Sequence, residues 1–366
     1  MIKNSSGGKR ILIINVNWIG DVIFSTPFIK AIRDAYPDGY IACLLHPRCT
    51  EILEGSPRID EIIVYDEEGA HRGIIGKLML ILRLRKARFD IAFMLHRSFT
   101  KALLTFLAGI KERIGYPTKK RGFLLTRAIN LPEEEVHKVE YFLGLARGYG
   151  IKVREDSYEF FIQDADRENI KKFLKKHGVE DKDCLIVLCP GGNWPPKRWP
   201  KENFAKLADM LAGKPGARIV LSGAKKDALL VEEIRSMMKS VPVVSCGITT
   251  LKELAALLER ADLVIANDSG PMHLAVAMKS NVIALFGPTS PGLTGPYGKG
   301  SYNILWKTEG CEVPCYDVTC IDNRCMKLIT VEEVFQESEK ALTQYAIRLP
   351  ADKAGNTQYT KNAGNR

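Results

Sequence analysis

Short apolar runs alternate with stretches of helical period along this chain, and the alternation is played twice. In the first half, Arg10–Val16 (RILIINV), Ile41–Leu45, Ile62–Tyr65 and Ile91–Leu95 have strand length, and helical patterns such as Val22–Ala35 lie between them. Continuous apolar runs separated by helices predict a doubly wound parallel sheet covered on both faces. The pattern restarts at Cys184–Cys189 (CLIVLC). It continues through a helix at Lys201–Ala212, a strand at Arg218–Ser222, a helix at Ala228–Met238, a strand at Val243–Ser245 and a helix at Thr250–Arg260. Ala261–Thr289 then reads as strand (Leu263–Ala266), sharp turn, helix with Pro271 in its first turn, and strand (Val282–Phe286) stopped by Gly287-Pro288-Thr289. Thr330–Tyr345 is a capped amphipathic helix.

The polar stretch Gln163–Arg167 is the expected linker, so the chain reads as two α/β domains facing each other across a cleft. They span residues 1–162 and 163–329, followed by a helix over 330–346. The tail over 347–366 has no large aliphatic residue from Pro350 onward and is expected to be disordered.

With 366 residues and 46% apolar content, two soluble domains are the natural expectation. Met1–Arg10 has no apolar core of a signal peptide, and no run is long enough to span a bilayer, so a cytoplasmic location is expected. Charge changes the picture more. The whole chain carries +10, yet residues 71–130 alone hold 14 Lys or Arg against the acids Asp90 and Glu112. No zinc-finger, RRM or KH signature accompanies them, so a phosphorylated or membrane-borne partner fits better than nucleic acid. Within this window Ile74–Lys86 (IIGKLMLILRLRK) interleaves apolar and basic positions. It reads equally as a packing helix or as one resting on a membrane or acceptor.

Nine cysteines without a signal peptide suggest reduced thiols. Cys311, Cys315, Cys320 and Cys325 are grouped but lack paired CxxC knuckles. A reduced or partly oxidised loop is therefore expected ahead of a metal site.

The candidate chemistry lies at strand ends, where open α/β sheets bind ligands. In Pro190–Pro200 (PGGNWPPKRWP), Gly191 and Gly192 let backbone N–H groups approach an anion, beside Asn193. Lys197 and Arg198 supply charge for a diphosphate. GxxxxGK[ST] is absent. Asp268, Ser269 and Gly270 open a helix whose N-terminus suits a phosphate, with His273 on its first turn. Gly20-Asp21 ends the first strand's turn, where Asp21 is either a helix cap or a proton acceptor.

Taken together, GD at the first strand end, PGG…KRWP, NDSGPMH and LFGPTSP resemble glycosyltransferase family 9, the ADP-heptose:lipopolysaccharide heptosyltransferases, from about Arg10 to Phe335. The KRWP and NDSG-x-MH forms look most like the branch of second heptosyltransferases. The resemblance implies a GT-B fold of two Rossmann-like domains, with the final helix crossing back onto the first. It further implies metal-independent, cofactor-free, inverting transfer from ADP-heptose to inner-core lipopolysaccharide. By that resemblance Asp21 matches the base and Lys197 the lysine on the donor diphosphate. Asp268, Ser269, Gly270 and His273 match the donor turn, Thr249, Thr250 and Leu251 fall near the adenine pocket, and Asp227 is an acidic ribose contact. Gly20, Arg83, Arg85, Arg88, Lys119, Lys120 and Arg121 are then expected to face a lipid A–Kdo acceptor, with the enzyme peripheral on the inner face of the cytoplasmic membrane. A family 9 transferase with a different acceptor or sugar, of the first or third heptosyltransferase type, remains open, and so do two other classes. An NAD-dependent oxidoreductase would share the architecture, although NVNWIGD is not GxGxxG. A nucleotide-sugar or lipopolysaccharide binder would lack transfer.

Overall fold

In the computed structural model residues 8–348 are described, the last four by backbone alone; most of the tail expected to be disordered, from 349 on, lies outside them. The chain divides between Phe161 and Ile162 into two compact units. The first contains β1 (Arg10–Ile14), β2 (Tyr40–Leu45), β3 (Glu61–Val64), β4 (Ile91–Met94), β5 (Glu112–Gly115) and β6 (Arg127–Ala128). Its helices are α1 (Ile19–Phe24), α2 (Thr26–Ala35), α3 (Thr50–Leu53), α4 (Ile74–Ala87), α5 (Phe99–Leu107) and α6 (Lys138–Tyr149). The strands pair in parallel in the order β3-β2-β1-β4-β5-β6. Ile11–Ile14 are fully buried because helices cover both faces of this sheet. One face packs Leu12, Ile14, Leu44, Ile63, Ala92 and Met94 against Leu80 and Leu84 of α4 and Ala102 and Leu104 of α5.

The second unit repeats the plan with β7 (Cys184–Cys189), β8 (Ala217–Leu221), β9 (Val243–Val244), β10 (Leu263–Asn267), β11 (Val282–Phe286) and β12 (Tyr302–Trp306). Its helices are α7 (Asp164–Lys176), α8 (Lys201–Ala212), α9 (Ala228–Met237), α10 (Leu251–Arg260), α11 (Gly270–Ala277), α12 (Pro291–Thr294), α13 (Arg324–Lys327) and α14 (Val331–Arg348). The order is β12-β11-β10-β7-β8-β9, again all parallel. The edge strands β6 and β12 escape the apolar pattern, since an edge strand need not be buried on both faces, and β5, next to the short β6, is only half-buried at Glu112 and Arg113.

Two expectations change. The helix expected over Val22–Ala35 is two helices, because Pro27 in the first turn of α2 has no N–H to continue α1. The Ser25 hydroxyl at the break donates to the Val22 carbonyl at 2.7 Å. The expected linker Gln163–Arg167 is the start of α7, where the Gln163 N–H donates to Asp166 Oδ2 at 2.8 Å. The described face of α14 packs within the second unit. Val331, Val334, Ala341 and Leu342 are buried with Trp199, Phe204 and Met326, and Asn281 Nδ2 donates to the Ala341 carbonyl at 3.0 Å. The apolar stripe of α14 faces α8.

Candidate functional site

In the second sheet β7 and β10 are neighbours, and the chain departs from them in opposite directions. A crevice forms at such a reversal, beyond the strand carboxyl ends. The loop after β7 carries Lys197 and the turn after β10 carries Asp268; Lys197 Nζ donates to Asp268 Oδ2 at 2.6 Å. The Thr289 hydroxyl donates to the same oxygen at 2.6 Å, and His273 Nε2 lies 3.8 Å from Oδ1. Asp268 and His273 are buried, whereas the Lys197 side chain keeps 19% exposure. A lysine has three N–H donors, so Lys197 retains donors for an anion. Ser269 stands at the N-cap of α11, and its buried hydroxyl makes no cap bond and has no partner among the described residues. Gly270 and Pro271 open the helix, and an N-terminus of this kind presents free backbone N–H groups.

Asn267, which the sequence reading passed over, locks the two loops together. Its Oδ1 accepts from the Trp199 N–H at 3.1 Å and its Nδ2 donates to the Pro190 carbonyl at 2.8 Å. Trp199 is itself buried, its indole N–H donating to the Ile329 carbonyl at 2.8 Å. Arg198, expected to add charge, is spent on the loop: Nε and an Nη donate to the Gly192 carbonyl at 3.0 and 2.6 Å. Asp227 is buried against Gly191, where a Cβ would lie 2.6 Å from the Asp227 carboxyl carbon, so any larger residue there would displace Asp227. Asp227 Oδ2 also accepts from the Ala224 N–H at 3.1 Å, while its buried Oδ1 has no hydrogen-bond partner among the described residues. Asn193 is exposed and pairs with Lys226. Thr250 caps α10 in a reciprocal pair with Glu253, at 3.1 and 3.0 Å, with Thr249 and Leu251 half-buried beside it.

The first sheet reverses between β1 and β4. Gly20 and Asp21 lie in the first turn of α1, directly after the β1 end, with Asp21 half-buried. This turn is pinned by Lys101 of α5, a residue the sequence reading counted only as one cation in the basic window. Lys101, 2% exposed, donates to Asn17 Oδ1 at 2.7 Å and stands 3.5 Å from Glu67, to which Asn17 Nδ2 donates at 3.1 Å. Burial lowers the Lys101 pKa, and Glu67 opposes that shift. His96, at the β4 end, is pushed down to about 3 by burial and by the charges of Lys101 and Arg121. It therefore stays neutral and accepts the Ser98 N–H on Nδ1 at 3.0 Å.

The expected acceptor cations separate. Lys119 and Lys120 are exposed, but Arg121 is fully buried, donating to the Tyr116 and His96 carbonyls, and is a structural residue. Arg97, not anticipated, is exposed at the β4 end and stacks on Tyr141 at 4.7 Å. Arg83, Arg85 and Arg88 are not brought to Asp21. α4 runs antiparallel to the strands, so its last turn ends at their amino edge. There Arg83 pairs with Glu61 at 2.7 Å, and Arg85 and Arg88 flank Arg10, whose Nε donates to the Ala87 carbonyl at 2.6 Å.

All nine cysteines are free thiols, and among the described residues no three His, Cys, Asp or Glu are grouped to hold a metal. Cys325 is buried in the second core, its thiol pushed up to about 11 by burial, while Cys311, Cys315 and Cys320 are half-buried in the loop.

Residues 78–325 match glycosyltransferase family 9 (heptosyltransferase). Lipopolysaccharide heptosyltransferase 2 of Salmonella typhimurium is 30% identical over 348 residues, covering 92% of this chain and 100% of that protein. Its Escherichia coli counterpart is also 30% identical, covering 92% and 99%. Among solved structures, a family 9 glycosyl transferase from Veillonella parvula superposes with a TM-score of 0.85 at 29% identity, covering 93% of this chain and 99% of its own. E. coli ADP-heptose lipopolysaccharide heptosyltransferase II gives 0.76 at 26% identity, covering 92% and 99%.

Proposed function

The chain belongs to glycosyltransferase family 9, the heptosyltransferases, and from that membership we propose the reaction it performs. It is a GT-B glycosyltransferase that moves heptose from ADP-L-glycero-β-D-manno-heptose to heptosyl-Kdo2-lipid A, in the inner core of lipopolysaccharide. The names of its relatives support ADP-heptose as the donor and lipopolysaccharide as the acceptor. The single observation that carries the reading within the molecule is Lys197 held on Asp268 beside the open N-terminus of α11.

The proposed chemistry gives each group a role. An acceptor hydroxyl attacks the anomeric carbon while the bond to the β-phosphate breaks, so ADP leaves from the opposite face and the configuration inverts. Asp21 accepts the hydroxyl proton as the new bond forms. Negative charge gathers on the β-phosphate, where Lys197 and the α11 N–H groups stabilise it without reorganising. Neither a resident metal nor a cofactor enters these steps. Because the acceptor is anchored in lipid, the enzyme works at the inner surface of the cytoplasmic membrane.

The test is incubation with ADP-heptose and either Kdo2-lipid A or its monoheptosyl form, read by the mass of the lipid product. Addition of a heptose to the monoheptosyl acceptor alone is expected. Transfer to Kdo2-lipid A instead would replace the acceptor with that of a first heptosyltransferase. Donor binding with no ADP release on either acceptor would mark a non-catalytic binder.

A further inference from the structure

Helix α4 has an apolar face that the fold does not use. Leu80 and Leu84 point into the first core, 2% and 1% exposed, whereas Ile74, Ile75, Leu78, Met79 and Leu82 are 86, 76, 52, 66 and 55% exposed. At helical spacing these five occupy one arc of roughly 140°, on the side away from the core. Between residues 72 and 89 there are six cations, Arg72, Lys77, Arg83, Arg85, Lys86 and Arg88, and no acid. α5 packs beside α4 on the same face of the sheet. Near its start Phe99 and Phe123 form an exposed ring pair with centroids 6.0 Å apart, next to the exposed Lys119 and Lys120.

We propose that this face of the first unit, with α4 outermost, docks on an anionic phospholipid bilayer. The apolar arc sinks to the boundary of headgroups and acyl chains, and the flanking cations pair with lipid phosphates. Charge selects this occupant. A second copy would bring two basic faces together, whereas an anionic bilayer answers the apolar arc and the positive charge at once. The exposed arc is about 12 Å long, so the helix lies in the interface, and no described helix is long and apolar enough to span a membrane. Orientation adds a reason. The apolar first turns of α4 lie toward the carboxyl edge of the sheet, where Asp21 also lies, and its basic last turn lies toward the amino edge. The proposal deepens the reading of a lipid-borne acceptor, and vesicles free of that acceptor test it apart from sugar transfer.

The full chain is sedimented with phosphatidylcholine vesicles containing or lacking phosphatidylglycerol. Binding to the anionic vesicles, weak binding to the neutral ones and partial release by salt are expected. Leu78→Glu with Met79→Glu should weaken anionic-vesicle binding by about tenfold or more while ADP affinity and melting temperature stay unchanged. Arg85→Glu with Lys86→Glu, which changes charge and leaves the apolar arc intact, should weaken it similarly. The proposal is overturned if the wild type ignores anionic vesicles or if both pairs of variants bind like it. It is equally overturned if light scattering finds a lipid-free dimer that the Leu78→Glu/Met79→Glu change dissociates.

Discussion

Lys197 donates to Asp268 at 2.6 Å across the reversal point of the second sheet, tying the loop after β7 to the turn after β10. The first sheet is tied in the same way, by Lys101 of α5 donating to Asn17 after β1 at 2.7 Å. In each unit a lysine joins the loops on either side of the crevice where an α/β sheet binds its ligand. The two differ in access: Lys197 keeps some exposure and donors to offer, while Lys101 is buried with all of its visible partners inside the unit.

Replacing Lys197 with Met should act on binding and on stability. The buried Asp268 carboxylate would lose its closest cation, lowering unfolding free energy by about 1–3 kcal/mol in urea titrations. ADP affinity measured by calorimetry should fall at least about tenfold, since a charge-assisted hydrogen bond to the diphosphate is removed. Unchanged affinity would take Lys197 out of the donor site.

Asp21→Asn keeps the size and loses the proton-accepting charge. Transfer should drop by about 10²–10⁴-fold while ADP affinity and melting temperature hold, as for loss of a general base. Turnover near the wild-type rate in a product-mass assay would remove Asp21 from that role.

Lys101→Met leaves Asn17 and Glu67 without their shared cation. Because Asn17 lies in the loop that leads into α1, four residues before Asp21, the expected result is a lower turnover number with little change in the Michaelis constant for the donor. Lys101→Arg should recover part of the loss by restoring the charge. If turnover survives Lys101→Met, the turn holds its shape without that pairing.

His96 makes the first unit sensitive to acid. Its pKa lies near 3 in the folded chain and near 6.5 when exposed, so between those values the unfolded state binds more protons. Stability should therefore decline as pH falls from about 6.5 toward about 3, as the Nδ1 that accepts the Ser98 N–H becomes harder to keep free of a proton. His96→Asn, whose carbonyl can accept the same bond, should remove that part of the slope in denaturant titrations across the range. A slope identical to the wild type would assign the acid sensitivity to other groups.

The glycine and proline punctuation around Lys197 and Asp268 made those residues legible, because such turns can be placed at strand ends from local pattern alone. Asn267 and Lys101 were not legible. Asn267 bonds partners 68 and 77 positions away, and Lys101 bonds one 84 positions away, and a long-range partner leaves no local trace. Nor was the position of Arg83, Arg85 and Arg88 in the fold legible from spacing. It showed a basic helix, but the edge of the sheet at which that helix ends depends on its direction across the strands.

Alternating apolar runs determined the two parallel sheets, because strands buried on both faces must be apolar throughout. Short-range turn chemistry determined the loops that carry Asp21, Lys197 and Asp268. Only the tertiary structure decided where amphipathic faces go, since periodicity shows that a helix has an apolar side and never what covers it. It turned the described face of α14 onto α8 and sent Leu80 and Leu84 of α4 inward. It also left Ile74, Ile75, Leu78, Met79 and Leu82 exposed, because the sheet has room for one side of that helix.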